Sequence, residues 1–208
     1  MIFRIDDYNE FNNNIIIKII EKIIFFFADA KILIWVIVSE SHIDLLEELI
    51  NKFWKNIILS FHWFYHNISE FNWNVFNQNL SFIEAENFFW ELNYEKRFFI
   101  PPFNKFNEIT IELLKKYKYY NFSINYKDFQ NNNKLLKKDF NILETNYFFN
   151  KKDNNWNRYI DDFLNIKNEI FYLKNEKIDI WVEIHPQYIK NERDFQKFIF
   201  LLTCLKNE

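Results

Sequence analysis

The chain has 208 residues, a net charge of −3, 22% aromatic side chains and no glycine. An average chain of this length carries about 14 glycines. Their absence excludes the P-loop, the dinucleotide fingerprint, the nucleophile elbow and the EF-hand turn, all of which need a residue without Cβ. With 49% apolar residues the chain can bury a sizeable core, which argues against global disorder.

In chain order, residues 1–6 read as a short strand and residues 7–27 as an amphipathic helix. Residues 31–38 (KILIWVIV) form a continuous β-branched run, the pattern of a strand covered on both faces. Ser41 stands three positions before Asp44, a weak capping-box signal. Ile43, Leu46, Ile50, Phe53 and Trp54 then line one helix face. Residues 57–65 return as a strand, so the chain opens β-α-β-α-β. Residues 81–92 form a short helix, and Pro101 and Pro102 mark a boundary. Asn107 caps a helix through residue 118, and residues 121–126 alternate as a strand. Residues 131–157, rich in Asn and Lys, read as a long loop or extension. Residues 161–173 are helical. In residues 178–185 (IDIWVEIH) Ile178, Ile180, Val182 and Ile184 face one way; Asp179, Trp181, Glu183 and His185 face the other. Pro186 ends that strand, and residues 191–205 form a final helix. The expected fold is α+β: an open mixed sheet with packed helices and a basic loop-rich insertion. The expected units are 1–100 (αβ), 101–160 (helix, strand and basic extension) and 161–208, which completes the core.

His62 and His66 stand four apart (HWFYH), the spacing of two zinc ligands on one helical turn. On a strand that spacing does not converge on a metal, and no Glu follows His62. Aromatic packing with polar tips is the expectation, with no metal or other cofactor. Asp6–Asp7 and Asp161–Asp162 read as caps and dipole partners rather than as acid–base pairs. His42 and His185 have no evident Ser or Asp partner, and Cys204, inside an apolar run, reads as a buried small hydrophobe. No catalytic residue is assigned. Charge is distributed unevenly: residues 61–112 carry three basic and seven acidic groups, residues 113–160 ten and four. The ten are Lys115, Lys116, Lys118, Lys127, Lys134, Lys137, Lys138, Lys151, Lys152 and Arg158. They are interleaved with Tyr117, Tyr119, Tyr120, Phe122, Tyr126, Phe129 and Trp156. Lysines attract phosphate regardless of sequence, and aromatic rings stack on unpaired bases. This stretch is the candidate nucleic-acid contact; the plainer reading is a solvated lysine-rich loop.

Phe, Ile, Asn, Lys and Tyr have AT-rich codons, and seven tryptophans fit a genome that reads TGA as Trp. The composition resembles that of proteins encoded in AT-rich protist mitochondrial genomes, ciliates especially; a mycoplasma-like bacterium is the alternative source. An early αβ unit and a Trp-centred strand near the end (IDIWVEI) are similar in plan to the C-terminal domain of the KH-containing small-subunit ribosomal protein at the mRNA entry channel. That resemblance implies a structural, non-enzymatic component of the mitochondrial ribosome in the matrix. It would bind rRNA and neighbouring subunits, with no membrane span and no small-molecule substrate. A matrix-facing accessory subunit of a respiratory complex is the alternative, and an enzyme the third class.

Overall fold

A computed structural model describes residues 2–63, 74–95, 98–102, 105–125, 139–145, 147–148, 163–176 and 180–206. The chain begins with strand β1 (Ile2–Tyr8), helix α1 (Asn13–Phe26), β2 (Lys31–Ile37), α2 (Ile43–Phe53) and β3 (Ile57–Trp63), the β-α-β-α-β opening that the hydrophobic pattern implies. Then come α3 (Val75–Glu91), β4 (Phe98–Phe99), α4 (Glu108–Lys116), β5 (Asn121–Asn125), β6 (Asn141–Thr145) and β7 (Tyr147–Phe148). Helix α5 (Phe163–Asn175), β8 (Trp181–Ile184) and α6 (Glu192–Lys206) complete the described chain.

All eight strands lie in one sheet of order β6-β5-β4-β3-β2-β1-β8-β7, and every ladder in it is parallel. The fold is therefore α/β with packed helices, but the sheet is neither mixed nor open. β6 and β7 stand at opposite ends of the strand order, yet Thr145 and Tyr147 are two residues apart. That length of chain spans at most about 7 Å, so the two edges meet and the sheet curls into a barrel.

A curled parallel sheet has two unlike faces. Outward residues pack under the helices: Phe3, Ile5 and Tyr8 of β1 and Ile32, Ile34 and Val36 of β2 join Ile16, Ile19, Ile20 and Ile23 of α1 in one core. Inward residues form a separate small cluster, in which Leu33, Trp35 and Ile100 contact Ile2, Ile58, Phe98 and Trp181. The run 31–38 is thus covered on both faces, by helices outside and by the barrel interior inside.

Local chemistry explains most boundaries. β1 runs to Tyr8, and Asn9 with Asn12 forms a capping box over a short 3-10 turn, so α1 starts six residues later than its periodicity implies. Asn74 caps α3, and Asn107 caps α4 in a box with Thr110, as the Asn-rich composition leads one to expect. The residue before α2 is His42, without a side-chain cap bond; Ser41 instead donates its hydroxyl to the Ile37 carbonyl at 2.8 Å. The stretch 131–157 contains β6 and β7 where a loop is expected, and its remaining residues lie outside the described ones. Cys204 is half-buried against the core. Among the described residues, no helix is long and apolar enough to cross a membrane.

Phe82 of α3 anchors the helix layer to the sheet, with ring centroids 5.3 Å from Phe61, 5.7 Å from Phe99 and 5.4 Å from Tyr117. Truncating such a buried ring costs about 3–5 kcal/mol. Phe82→Ala is expected to lower the unfolding free energy measured in urea by that amount without changing the slope; a loss below about 1 kcal/mol would remove Phe82 from this role.

Candidate functional site

The interior alternation of β1 places Arg4 and Asp6 inside the barrel, 1% and 0% exposed. A buried guanidinium needs anions and planar contacts, and the barrel provides both. Arg4 Nε donates to Asp6 Oδ1 at 3.0 Å and Nη2 to Asp6 Oδ2 at 3.2 Å. Nη2 also bonds Glu183 of β8, and Nη1 donates to Ser123 Oγ at 3.5 Å. The guanidinium carbon lies 4.1 Å from the Trp35 ring centroid. Burial pulls the Arg4 pKa down to about 10, opposed by the charges of Asp6 and Asp7, which leaves the group cationic at neutral pH. Two carboxylates around one guanidinium carry one net negative charge. The next group in reach is His185, whose Nε2 stands 3.4 Å from Asp6 Oδ2 and 3.9 Å from Glu183 Oε1.

Consecutive strand residues point to opposite faces, so Asp7 should face outward. It does not, because β1 is bulged: Ile5 pairs with Ile34 and Tyr8 with Val36, so three steps on β1 match two on β2. Asp7 sits in the left-handed region at φ 57°, a conformation that a non-glycine residue adopts at a cost. The extra residue returns Tyr8 to the helix-side core beside Ile5 and leaves Asp7 beside the barrel mouth. Asn12 Nδ2 secures this turn by donating to the Asp7 carbonyl at 2.6 Å. β3 has the matching irregularity: Val36 pairs with Phe61 and Ile37 with Trp63, which makes His62 the extra residue. Bulges near active sites commonly re-aim side chains in this way.

The two aspartates consequently face different histidines. Asp6 faces His185, and Asp7 Oδ1 lies 3.5 Å from His62 Nε2; Asp7 Oδ2 accepts from Gln187 Nε2 at 2.8 Å. His62 is 2% exposed, and its Nδ1 lies 2.8 Å from the Ile100 carbonyl. A carbonyl only accepts, so Nδ1 carries the proton, and neutral His62 presents the lone pair of Nε2 to a carboxylate oxygen. Two acceptors facing each other are satisfied by an imidazolium or by a cation between them. Donation of the other ring nitrogen to a backbone carbonyl is the usual support of a metal-bound histidine. One imidazole and one carboxylate are also an ordinary partial ligand set for zinc and its neighbours. His66, the other member of the sequence pair, lies outside the described residues. Asp6, Glu183 and His185 also offer ligand atoms within 4.8 Å of one another, but Arg4 already holds both of those carboxylates.

Three of the ten basic residues are among the described ones. Lys115 pairs with Asp139 at 2.6 Å, Lys116 donates to Asn79 at 2.8 Å, and Lys118 is exposed at φ 62°. Lys127, Lys134, Lys137, Lys138, Lys151, Lys152 and Arg158 lie outside the described residues, as do Asp161 and Asp162. His42 makes an exposed pair with Glu10 at 2.8 Å. The residues that do converge are Asp6, Asp7, His62 and His185, each discounted one at a time in the sequence. The strand alternation of residues 178–185 already put Glu183 and His185 on one face, and that signal locates one of the four, His185.

No protein-family model matches the sequence, and no curated protein matches it significantly. Solved structures do match. A putative polysaccharide deacetylase from Mycobacterium smegmatis superposes with TM-score 0.65 at 10% identity, over 94% of this chain and 71% of that one. A family 4 carbohydrate esterase from Streptomyces lividans, in complex with acetate, gives 0.60 at 7% over 98% and 85%. A family 4 pseudoenzyme from Bacillus anthracis gives 0.57 at 10% over 99% and 59%. The chain therefore shares the carbohydrate esterase and deacetylase fold. This likeness overturns the expected ribosomal identity and its rRNA and ribosomal partners, and with them the respiratory alternative. The expectations of a non-enzyme and of no small-molecule substrate are corrected on the same ground. They rested on composition and local charge, and neither determines topology.

The central ion pair is testable without a substrate. Removing one partner of a buried pair leaves an uncompensated charge at a cost of about 3–5 kcal/mol. Arg4→Leu is expected to destabilise by that amount in urea unfolding, and Arg4→Lys to recover only part, because an ammonium cannot fork between two carboxylates. Wild-type stability in Arg4→Leu would show that the network contributes nothing.

Proposed function

We propose that the protein is a hydrolase that removes acetyl-sized acyl groups from a carbohydrate. The observation that carries this reading is the division of two adjacent aspartates between two histidines, Asp6 with His185 and Asp7 with His62, beside the C-terminal ends of parallel strands. In parallel barrels that end carries the chemistry. The likeness to deacetylase and esterase folds supports the same substrate class.

Each residue suits one part of an ester or amide hydrolysis. Asp7 and His62 form the rim and wall of the mouth, with side chains 13% and 2% exposed, and are the residues that would hold a divalent cation. Such a cation supplies Lewis-acid polarisation of an acyl oxygen and lowers the pKa of bound water. A carboxylate can only accept, so Asp6, oriented by the Arg4 fork, takes the proton of the attacking water as its oxygen bonds to the acyl carbon. His185, 12% exposed at the rim, gives a proton to the departing oxygen or nitrogen as its bond to that carbon breaks. Glu183 shares the guanidinium and flanks His185, which limits the ring's orientations.

Release of acetate from a chromogenic acetyl ester and from acetylated chito-oligosaccharides tests the reading. Positioned acid–base groups contribute about 10²–10⁴-fold, so His185→Asn is expected to lower kcat/KM by at least about 100-fold while retaining the wild-type melting temperature. Failure of the wild-type protein to release acetate from either class, with zinc, cobalt or manganese supplied, would refute the proposal.

The cation site has its own test. Dialysis against a chelator is expected to abolish turnover, and zinc titrated calorimetrically into the stripped protein is expected to bind with one-to-one stoichiometry. His62→Ala should weaken that binding by at least about tenfold. Equal zinc affinity in His62→Ala would exclude His62 as a ligand.

A further inference from the structure

Among the described residues, one buried side-chain polar atom beside this centre has no hydrogen-bond partner: the indole nitrogen Nε1 of Trp35. Trp35 is 4% exposed, so its N–H is out of reach of bulk water. Leaving a buried donor unsatisfied costs about 1–3 kcal/mol, and buried tryptophan nitrogens usually find an acceptor. This one lies among the residues of the proposed chemistry. Its ring stands 3.9 Å, centroid to centroid, from that of His62 and 4.1 Å from the guanidinium carbon of Arg4. Trp35 also packs with Leu33 and Ile100 in the apolar cluster of the barrel interior. Trp35 thus touches both apolar side chains and the charged network, the two kinds of neighbour that an acyl group, with a methyl at one end and an oxygen at the other, requires.

We infer that Trp35 Nε1–H is the internal donor for the acyl oxygen of the ligand, and that the site selects small acyl groups through it. The inference rests on the acyl-hydrolase reading for the identity of the ligand, and on the unsatisfied N–H for the contact itself. Arg4 is committed to Asp6, Glu183 and Ser123, and His62 Nδ1 to the Ile100 carbonyl. The indole proton is therefore an uncommitted donor among the described residues of this layer. The stacking partners hold the ring at a fixed tilt, so the donor is in place before the ligand arrives, which limits the entropy lost on binding.

The test uses the whole chain labelled with ¹⁵N, its seven indole resonances assigned by triple-resonance experiments, so that no variant has to fold. Acetamide, a neutral acyl oxygen, and acetate are titrated in separately. The expected result is a saturable downfield shift of the Trp35 indole proton in at least one titration. Trp35→Phe, which keeps a ring beside Arg4 and His62, should then raise the dissociation constant of that probe by about twofold to tenfold, the range of one lost neutral hydrogen bond. A Trp35 resonance that stays in place at high concentrations of both probes overturns the inference, because the N–H is then satisfied by a fixed internal water. Hydrolysis of the chromogenic ester by the unsubstituted protein separates the two failures. Turnover with an immobile Trp35 signal refutes only the donor role, and a shifting signal without turnover refutes only the hydrolase.

Discussion

A guanidinium inside a parallel barrel is the constraint on which the rest of this structure depends. Moving an isolated cation from water into such an interior costs several kcal/mol, so Arg4 dictates what surrounds it. Asp6 has to lie two residues along the same strand, Glu183 has to come from the adjacent strand β8, and Trp35 has to offer its face from β2 on the other side. Ser123, from β5, receives the remaining donor across the barrel. Residues from four strands are thereby tied to one group, which couples the curl of the sheet to its charge balance. A single guanidinium cannot neutralise two carboxylates, and the excess charge falls beside His185.

The second organising element is the paired irregularity in β1 and β3. Regular alternation would give Asp6 and Asp7 opposite faces and let only one reach the mouth. The bulge, with Asp7 in the left-handed region, breaks that rule at one residue. Other chains often place glycine at such a position. Here no glycine exists, and Asp7, Asn93 and Lys118 adopt positive φ among the described residues. Asn is expected there, and Lys118 ends a helix on the surface. Asp7 is the informative one, because its conformation also decides which histidine it meets.

Much of the scaffold is legible in the sequence, and the site is legible only in pieces. The opening β-α-β-α-β order, the Asn107 cap and the two faces of the last strand follow from periodicity and capping chemistry. The closure of the sheet does not, since an inward-facing apolar residue such as Leu33 looks the same in sequence as one under a helix. Asp6 and Asp7 read as helix caps because an amphipathic pattern follows them, but Asn9 supplies the cap and the strand continues through both aspartates. His62 and His66 read as incompatible with a metal because ligand spacing was judged along one strand. The structure instead pairs His62 with a residue 55 positions away in the chain. Composition misled most of all: abundant lysine drew attention to the 113–160 stretch, whereas the residues that converge are Asp6, Asp7, His62 and His185.

Fold likeness at about 10% identity establishes a scaffold and leaves its use open, since one of the similar structures is a pseudoenzyme. What distinguishes a working site from an inherited shape is local cost without local benefit. The Arg4–Asp6 pair alone explains itself as barrel chemistry. Two neighbouring features do not: the positive φ of Asp7 and the indole N–H of Trp35 without an acceptor. Each lowers the stability of the chain in isolation, and a regular strand or a phenylalanine would avoid it. Both lie beside the same buried Arg4 network. Stability alone therefore does not account for them, and that is what makes this end of the barrel the place to test for a ligand.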